Sequence, residues 1–302
     1  MAKPKGNRSA EPKASSGVSW SIASVKCHRC ASDVPVTLRY CPTCRMDIGA
    51  PNVRECSSQP EQKALHERAA RAARLAERKG GSHNLNCFSD YVEKRSTVTV
   101  SMPASIARFM TSDPKSIYRN YEALVGSGLR HPATAEHDRE RHAVAGSLFG
   151  FYQAQIIYGV LSLSGAGLPS YGDVSCSLRS VAIEDRVSFL ETNSFAFVAA
   201  HNTGRGSSPP AGFRSVWGNR HELAVAKHGA SFTKDTNSGT WQQILVSSGQ
   251  DRSSDDFIEA HIFDSFDGMA IEQMIATPGR RRSRDADTDI RLALEQFARL
   301  RS

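Results

Sequence analysis

The sequence predicts an α+β fold, with a small cysteine-organised module in front of the larger part of the chain. Three features of the 302 residues lead to this prediction. Strand-like runs follow one another in quick succession, with helical segments before and between them, which is typical of a mixed, mostly antiparallel sheet with flanking helices. Two Cys-x-x-Cys pairs stand near the N-terminus. A long run of strong helix formers separates these pairs from the strands.

The N-terminal cysteines form two pairs, Cys27 with Cys30 and Cys41 with Cys44, with ten residues between the pairs. Four thiolates at this spacing can close a tetrahedron around one zinc ion. Because four protein thiolates leave no open coordination position, the expected role of the ion is structural. The sequence therefore predicts a zinc ribbon over residues 25–50.

The other three cysteines, Cys56, Cys87 and Cys176, show no mutual spacing, and the total of seven is odd. This usage favours a reducing cytoplasm over a disulfide framework. There is no apolar run long enough to cross a membrane, so no membrane association is expected. Residues 1–24 are basic and rich in Ser, Ala and Pro without a signal-peptide core, which predicts a disordered tail.

The positive charge is concentrated at one end of the chain. Residues 1–80 contain 15 Lys and Arg against 7 Asp and Glu, whereas residues 81–302 contain 23 against 24. Such an excess favours contact of the N-terminal region with a nucleic acid or with a protein acceptor that carries negative charge. The oligomeric state is not predicted.

The segment 51–84 is predicted to be a helical connector. Pro60 suits a first helical turn, and residues 61–79 are strong helix formers with only a thin apolar stripe, so a solvated helix is expected. A helix that contacts nucleic acid is the alternative.

The region 85–279 is predicted to be the α+β domain, followed by a charged linker and a C-terminal helix over 280–302. Its predicted strands cover 96–101, 155–163, 173–178, 186–190, 194–199 and 256–263. Its predicted helices cover 103–110, 116–125, 138–149 and 219–228, with a short helical link at 182–185, while 241–246 fits either a helix or a strand.

One carboxylate in the last strand has an unusual setting. Alternation places Glu259 on the same strand face as Phe257, His261 and Phe263. An acid among aromatic side chains loses hydration unless it is paired or functional. It is therefore either a sheet-edge acid that faces solvent or pairs with His261, or a carboxylate in a cleft that binds a substrate hydroxyl and stabilises a developing cation.

A series of motifs runs through residues 96–277 in a fixed order. The motifs are Thr-Val-Thr-Val at 97–100, Ile117-Tyr118-Arg119, Asp138-x-Glu140-Arg141, the run 157–163, Tyr171-Gly172-Asp173-Val174, Leu178-Arg179, the run 186–189, Asn193-Ser194, and Phe257-Ile258-Glu259-Ala260-His261. In this order they resemble a bacterial protein family of unknown function that is itself similar to ADP-ribosyltransferases. The Tyr-Gly-Asp-Val and Ile-Glu-Ala-His strands are the most specific parts. The ribbon followed by a charged helix also resembles the front end of uncharacterised bacterial proteins.

This resemblance implies a sheet that holds NAD in a cleft. In ADP-ribosyltransferases the site consists of an Arg or His on the first strand, a Ser, Thr or Tyr on a middle strand, and a Glu on a late strand. Glu259 matches the late-strand Glu, and Ser188 or Ser194 is the candidate for the middle position. On the first strand, Ser101 or Met102 stands where the family has its cationic or imidazole residue.

The remaining roles also follow from the resemblance. The missing cation would come from Arg119 or Arg179, which would hold the pyrophosphate. Tyr118 or Tyr171 would stack on the nicotinamide, and Ser188 and His261 are further candidates for contact with NAD. Glu259 would bind the ribose more tightly as an oxocarbenium-like ion develops.

Two functions are expected from these observations. The first is an ADP-ribosyltransferase-like enzyme that modifies a protein or a nucleic acid, with the zinc ribbon as its targeting module and a toxin or phage-defence effector as a compatible biological role. The alternative is a non-enzymatic zinc-ribbon regulator that binds nucleic acid or protein, in which Glu259 pairs with a neighbour. A cleft that combines Glu259, an arginine and an aromatic ring favours the enzyme.

Overall fold

A computed structural model describes residues 23–132, 134–203 and 208–301 of the chain. The predicted disordered tail, residues 1–24, lies outside these ranges except for its last two positions. Ser24 already belongs to the first strand.

The N-terminal module is a short antiparallel ribbon. Strand β1 (Ser24–Lys26) pairs with β2 (Asp33–Pro35), with Val25 opposite Val34. Its buried cluster consists of Val34, Ile48 and two of the cysteines, with the other two cysteines packed against it. An apolar core of this size is too small to hold a chain folded without a staple.

Three helices follow the ribbon: α1 (Pro51–Cys56), α2 (Gln59–Arg78) and α3 (Ser82–Arg95). Pro60 lies in the first turn of α2, as the sequence predicts, where a missing N–H costs nothing.

Helix α2 is not solvated on all sides, contrary to the expectation from its composition. Its face of Leu65, Ala69, Ala72 and Ala76 is buried and packs against α9 (Arg220–His228). The small alanine side chains let the two helices approach closely, so a stripe that looks thin in the sequence still excludes water.

The larger part of the chain is built on a seven-stranded sheet in the order β13-β6-β3-β5-β11-β7-β8. Every described pairing in this sheet is antiparallel. The strands are β3 (Thr97–Met102), β5 (Ile156–Ser162), β6 (Val174–Leu178), β7 (Val187–Leu190), β8 (Arg214–Val216), β11 (Glu259–Phe263) and β13 (Ile271–Ala276). The α+β class is therefore confirmed.

The remaining elements surround this sheet. Two small antiparallel pairs join β4 (Ile117–Tyr118) to β12 (Phe266–Asp267) and β9 (Val246–Ser247) to β10 (Asp256–Phe257). The other helices are α4 (Ala104–Ser112), α5 (Tyr121–Gly126), α6 (Ala135–Phe149), α7 (Ser180–Ile183), α8 (Ser194–His201), α10 (Trp241–Leu245) and α11 (Arg284–Arg299).

The two faces of the sheet have different chemistry. One face carries Val98, Val100, Ile157 and Ile262, which belong to the main hydrophobic core beneath α2, α3, α4, α9 and α11. The opposite face carries Thr99, Ser101, Tyr158, Val160 and Glu259, which line a cleft. The two-residue period of the strands thus divides the sheet into a core side and a site side.

Two segments differ from the sequence prediction. Residues 194–199 form helix α8 and not a strand, because the Asn193 side chain accepts the Phe195 N–H at 2.8 Å and starts a helix. The predicted helix 116–125 begins as strand β4 and becomes helical only at Tyr121, after Asn120 caps it through the Ala123 N–H at 3.0 Å.

The charged stretch before the last helix is held against the sheet. Arg280 forms an ion pair with Asp173 at 2.5 Å, and Arg282 donates to the Thr277 carbonyl. Helix α11 then packs on α4 and buries Ile290 and Ala293 in the main core.

We expect Leu65→Ala to lower the free energy of unfolding by about 2–5 kcal/mol, because the leucine side chain is 1% exposed and its removal leaves a cavity. Leu75→Ala is the matched control, since Leu75 lies on the same helix but is 37% exposed. Urea denaturation of both variants measures the difference. Equal, small losses would mean that α2 does not belong to the core.

Candidate functional site

The ribbon contains a four-sulfur cluster. The Sγ atoms of Cys27, Cys30, Cys41 and Cys44 all lie within 4.8 Å of one another, and the Cys27–Cys44 and Cys30–Cys41 pairs are 3.6 Å apart. Four sulfurs bound to one zinc ion at 2.3 Å would lie roughly 3.8 Å from each other. The donor set and its spacing therefore fit a structural metal ion such as zinc.

The backbone around the cysteines forms two similar tight turns. The Ala31 N–H donates to the Cys27 carbonyl and the Arg45 N–H donates to the Cys41 carbonyl, both at 2.9 Å. Ala31 and Arg45 adopt left-handed φ values of 56° and 60°. Each pair of cysteines is thus followed by a non-glycine residue in a conformation that costs free energy, and binding of an ion would compensate this cost.

The ribbon is attached to the sheet by polar contacts. Arg39 bridges Asp47 of the ribbon and Asp185 beside α7, at 2.7 and 2.5 Å. The Asn52 side chain on α1 donates to the Ser188 hydroxyl at 3.0 Å and to the His261 carbonyl at 2.9 Å. Asn52 thus connects the end of the ribbon to two strands of the main sheet.

A cleft of about 470 Å³ lies on the site face of the sheet. Its floor is formed by β3, β5 and the start of β11, and its walls by the β4–α5 segment, α6, the N-terminus of α8 and two loops around residues 171 and 252. A cavity of this size lies in the range of sites that bind small organic molecules.

The carboxylate of Glu259 lies at the floor of this cleft. Thr99, Val160 and Glu259 are direct cross-strand partners on β3, β5 and β11, and all three line the cleft. Glu259 is only 8% exposed. The alternation in the sequence therefore placed this residue on the correct face of its strand.

The contacts of Glu259 all involve one of its oxygens. Oε2 accepts the Ser194 backbone N–H at 2.6 Å and the Ser194 hydroxyl, and it lies 3.4 Å from the His261 Nε2. Among the described residues no hydrogen bond reaches Oε1. The positive end of the α8 dipole and these donors hold the carboxylate in place and leave its second oxygen for a ligand.

Helix α8 is also connected to the opposite wall. The Asn193 amide donates to the Tyr171 hydroxyl at 3.0 Å, and the Tyr171 ring packs edge-on against Phe257. Gly172, the next residue, lies so close to the Met102 backbone that a Cβ atom would collide with it. This close approach explains the glycine in the Tyr-Gly-Asp-Val motif.

Three tyrosines of the cleft, Tyr118, Tyr158 and Tyr171, have a raised pKa. Burial raises the pKa of Tyr118 to about 12. Burial and the neighbouring Glu259 carboxylate raise the pKa of Tyr158 and Tyr171 as well. These rings therefore offer flat apolar surfaces and hydroxyl groups, and they do not act as bases near neutral pH.

Several residues that the sequence singled out meet in this cleft. Arg119, Ser194, Tyr118 and Tyr171 all line it together with Glu259.

The other candidates lie elsewhere. Ser188 and His261 are cross-strand partners on the same sheet face as Glu259, but they are buried farther along the strands, beside Asn52, and do not line the cleft. Arg179 precedes α7 outside the described lining of the cleft. On the first strand, Ser101 lines the cleft, whereas Met102 belongs to the main core.

Sequence reasoning gave no role to three of the four arginines in the cleft lining. These are Arg130, Arg141 and Arg252, and they join Arg119 around the opening. They come from a loop, a helix and a second loop, so no spacing in the sequence connects them. Arg141 belongs to the Asp138-x-Glu140-Arg141 motif, and this motif was the only feature of the sequence that pointed to any of the three arginines.

Comparison with known proteins adds no further evidence. The chain matches no model of a protein family, and no curated protein matches it. Within the described ranges, no helix combines the length and apolar character needed to cross a membrane.

We expect the purified protein to hold one zinc ion per chain, and Cys41→Ser to abolish stoichiometric binding because only three thiolates remain. Elemental analysis after dialysis measures the metal content. Cys87→Ser is the control, since Cys87 lies on α3 outside the cluster. Full zinc content in Cys41→Ser would contradict the assignment of the ligands.

We expect Asn52→Ala to lower the free energy of unfolding by about 1–3 kcal/mol, because it leaves the buried His261 carbonyl and Ser188 hydroxyl without their partner. The zinc content should not change. Asn84→Ala is the control: its amide also donates to two carbonyls, at Thr233 and Lys234, but near solvent that can replace it. Equal losses in the two variants would mean that burial of the Asn52 contacts adds nothing.

Proposed function

We propose that this protein is an ADP-ribosyltransferase-like enzyme that binds NAD in the cleft above Glu259. The observation that supports this most strongly is the combination of a buried, oriented carboxylate with one uncommitted oxygen and a cleft walled by arginines and tyrosines. This is the combination that favours an enzyme over a filled, flat binding surface.

The sheet order supports the same proposal. The resemblance places site residues on a first strand, a middle strand and a late strand. The first and late strands, β3 and β11, both pair with β5, whereas the candidates for the middle position, Ser188 and Ser194, lie on β7 and in the first turn of helix α8. The late-strand Glu259 is at the floor of the cleft. The first-strand cation of the family is replaced by Ser101, so the positive charge comes from the arginines of the surrounding wall.

NAD would supply the ADP-ribosyl group: the bond from ribose C1′ to the nicotinamide nitrogen breaks, its electron pair leaves with neutral nicotinamide, and an acceptor atom bonds to C1′ and loses a proton. Oε1 of Glu259 would accept a ribose hydroxyl, and the carboxylate would stabilise the positive charge that develops at C1′. Ser194 keeps the carboxylate oriented, and Tyr118 or Tyr171 would pack on the nicotinamide ring.

Ser194 itself is not proposed as a nucleophile. It is 2% exposed, and its hydroxyl is used as a donor to Glu259. Its role is to position the catalytic carboxylate.

The ribbon and the basic N-terminal region are proposed to bring the enzyme to a protein or nucleic-acid acceptor, in a toxin or phage-defence role. We place this activity in the cytoplasm because four of the seven cysteines form the proposed metal site and the other three, Cys56, Cys87 and Cys176, are not in disulfides, a usage that fits a reducing compartment.

One observation favours the alternative, a non-enzymatic regulator that binds nucleic acid or protein. Glu259 has internal partners in Ser194 and His261, so it is compatible with a purely structural role. In this alternative the arginines of the cleft bind a polyanion without any reaction.

We expect Glu259→Gln to reduce transfer of label from radiolabelled NAD by about 10²–10³-fold, because a neutral amide cannot stabilise a developing cation. The test uses the full chain with NAD and cell extract. Glu272→Gln is the matched control, since Glu272 lies exposed on β13 of the same sheet. Wild-type protein that neither binds NAD nor labels an acceptor would contradict the enzyme and leave the regulator.

A further inference from the structure

The partial burial of two arginines in the cleft wall costs hydration free energy that their contacts within the protein do not offset. Arg130 follows α5 and Arg141 lies in the middle of α6, and both guanidinium groups stack on the Tyr121 ring. The distances from the guanidinium carbons to the ring centroid are 4.8 and 4.1 Å. Both side chains are half-buried, so their charges are partly removed from water.

Two acidic residues nearby, Glu122 and Glu140, face histidines, and Asp138, on the same helix as Arg141, forms no ion pair within the described ranges. Glu122 lies 3.3 Å from His142, and Glu140 lies 4.0 Å from His137. Among the described residues, neither Arg130 nor Arg141 forms an ion pair with a carboxylate. The lining of the whole cleft contains four arginines but only two glutamates, Glu140 and Glu259.

The hydrogen-bond donors of the two arginines are also not all satisfied. The Nε atom of Arg141 is buried and has no hydrogen-bond partner in the described part of the chain. Burial lowers the pKa of Arg130, and the neighbouring charge of Arg141 lowers it further. Two like charges held together on one ring, with an unpaired donor, are the arrangement that a bound dianion would stabilise.

We infer that Arg130 and Arg141, held on the Tyr121 ring, form the binding site for the diphosphate of the ligand. Guanidinium groups bind phosphate oxygens with two parallel hydrogen bonds, and a preordered pair matches two linked phosphates. The inference deepens the proposed function, because it assigns the diphosphate of NAD to a helix and a loop instead of the first strand. The site would equally take ADP or ADP-ribose.

Calorimetric titration of the zinc-loaded full chain with ADP, ADP-ribose, inorganic pyrophosphate and adenosine tests this inference. We expect ADP to bind at least about ten-fold more tightly than adenosine. Arg130→Met and Arg141→Met should each weaken ADP binding by at least about ten-fold and change adenosine binding by less than about two-fold.

Arg139→Met is the matched control. Arg139 lies two residues before Arg141 on the same helix, is exposed, and donates its Nε to the Ala135 carbonyl. The substitution removes the same charge, but Arg139 lies outside the cleft lining. The affinity for ADP should therefore stay within about two-fold of that of the wild type. If Arg139→Met weakened ADP binding as much as Arg141→Met, the effect of both substitutions would be explained by the change in net charge, and the inference would be overturned.

Folding and binding are separated by thermal denaturation. Without ligand, Arg130→Met and Arg141→Met should be at least as stable as the wild type, because each removes a partly desolvated charge. Pyrophosphate should raise the midpoint of the wild type but not of the variants. If Arg141→Met does not fold, Arg130→Met carries the same test.

The outcomes distinguish this inference from the proposed function. ADP binding that depends on both arginines, in a protein that never consumes NAD, supports the diphosphate site and removes the transferase. NAD consumption with an unchanged KM in both variants supports the transferase and overturns the site. ADP binding that is no tighter than adenosine binding also overturns it.

Discussion

A buried carboxylate that is not neutralised by a lysine or arginine has to be stabilised by oriented donors. At Glu259 the donors are the backbone N–H and the hydroxyl of Ser194, at the first turn of α8. A helix N-terminus lowers the cost of negative charge without consuming it in an ion pair. The arrangement of β11, α8 and the loop of Tyr171 around the cleft follows from this requirement, because α8 has to begin directly above the strand that carries the acid.

A second polar contact supports the same strand farther along its length. Asn52 reaches the His261 carbonyl and the Ser188 hydroxyl from the side of the ribbon, within a small apolar cluster around Phe149 and Phe263. His261 packs against Phe149 and lies 3.4 Å from Glu259. The four-cysteine ribbon is therefore not simply appended to the chain, since the helix that follows it supports the strand that carries Glu259.

The sequence predicted the parts of the structure that depend on local patterns. Cysteine spacing is a local property and identified the sulfur cluster, and strand alternation placed Glu259 on the site face. Contacts between distant segments left no such pattern. Asn52 and His261 are 209 residues apart, and a thin alanine stripe on α2 gave no sign of the helix that covers it.

The wrong prediction for residues 194–199 has a clear cause. The run after Asn193 contains two phenylalanines and one valine, which favour a strand, but the cap at its start selects a helix.

The cleft lining carries more basic than acidic side chains, although the region of the chain that forms it has no net positive charge. Residues 81–302 carry one more acidic than basic side chain, so this region as a whole should not attract anions. Yet the cleft lining contains four arginines, of which Arg119 and Arg252 are exposed and Arg130 and Arg141 half-buried. Positive potential is therefore produced by local placement and focused by the low-dielectric walls. In the proposed reaction, placing the cations on loops and a helix instead of the first strand leaves Ser101 and Thr99 on the floor of the cleft with Glu259, so that no fixed positive charge would stand on the floor where positive charge is proposed to develop.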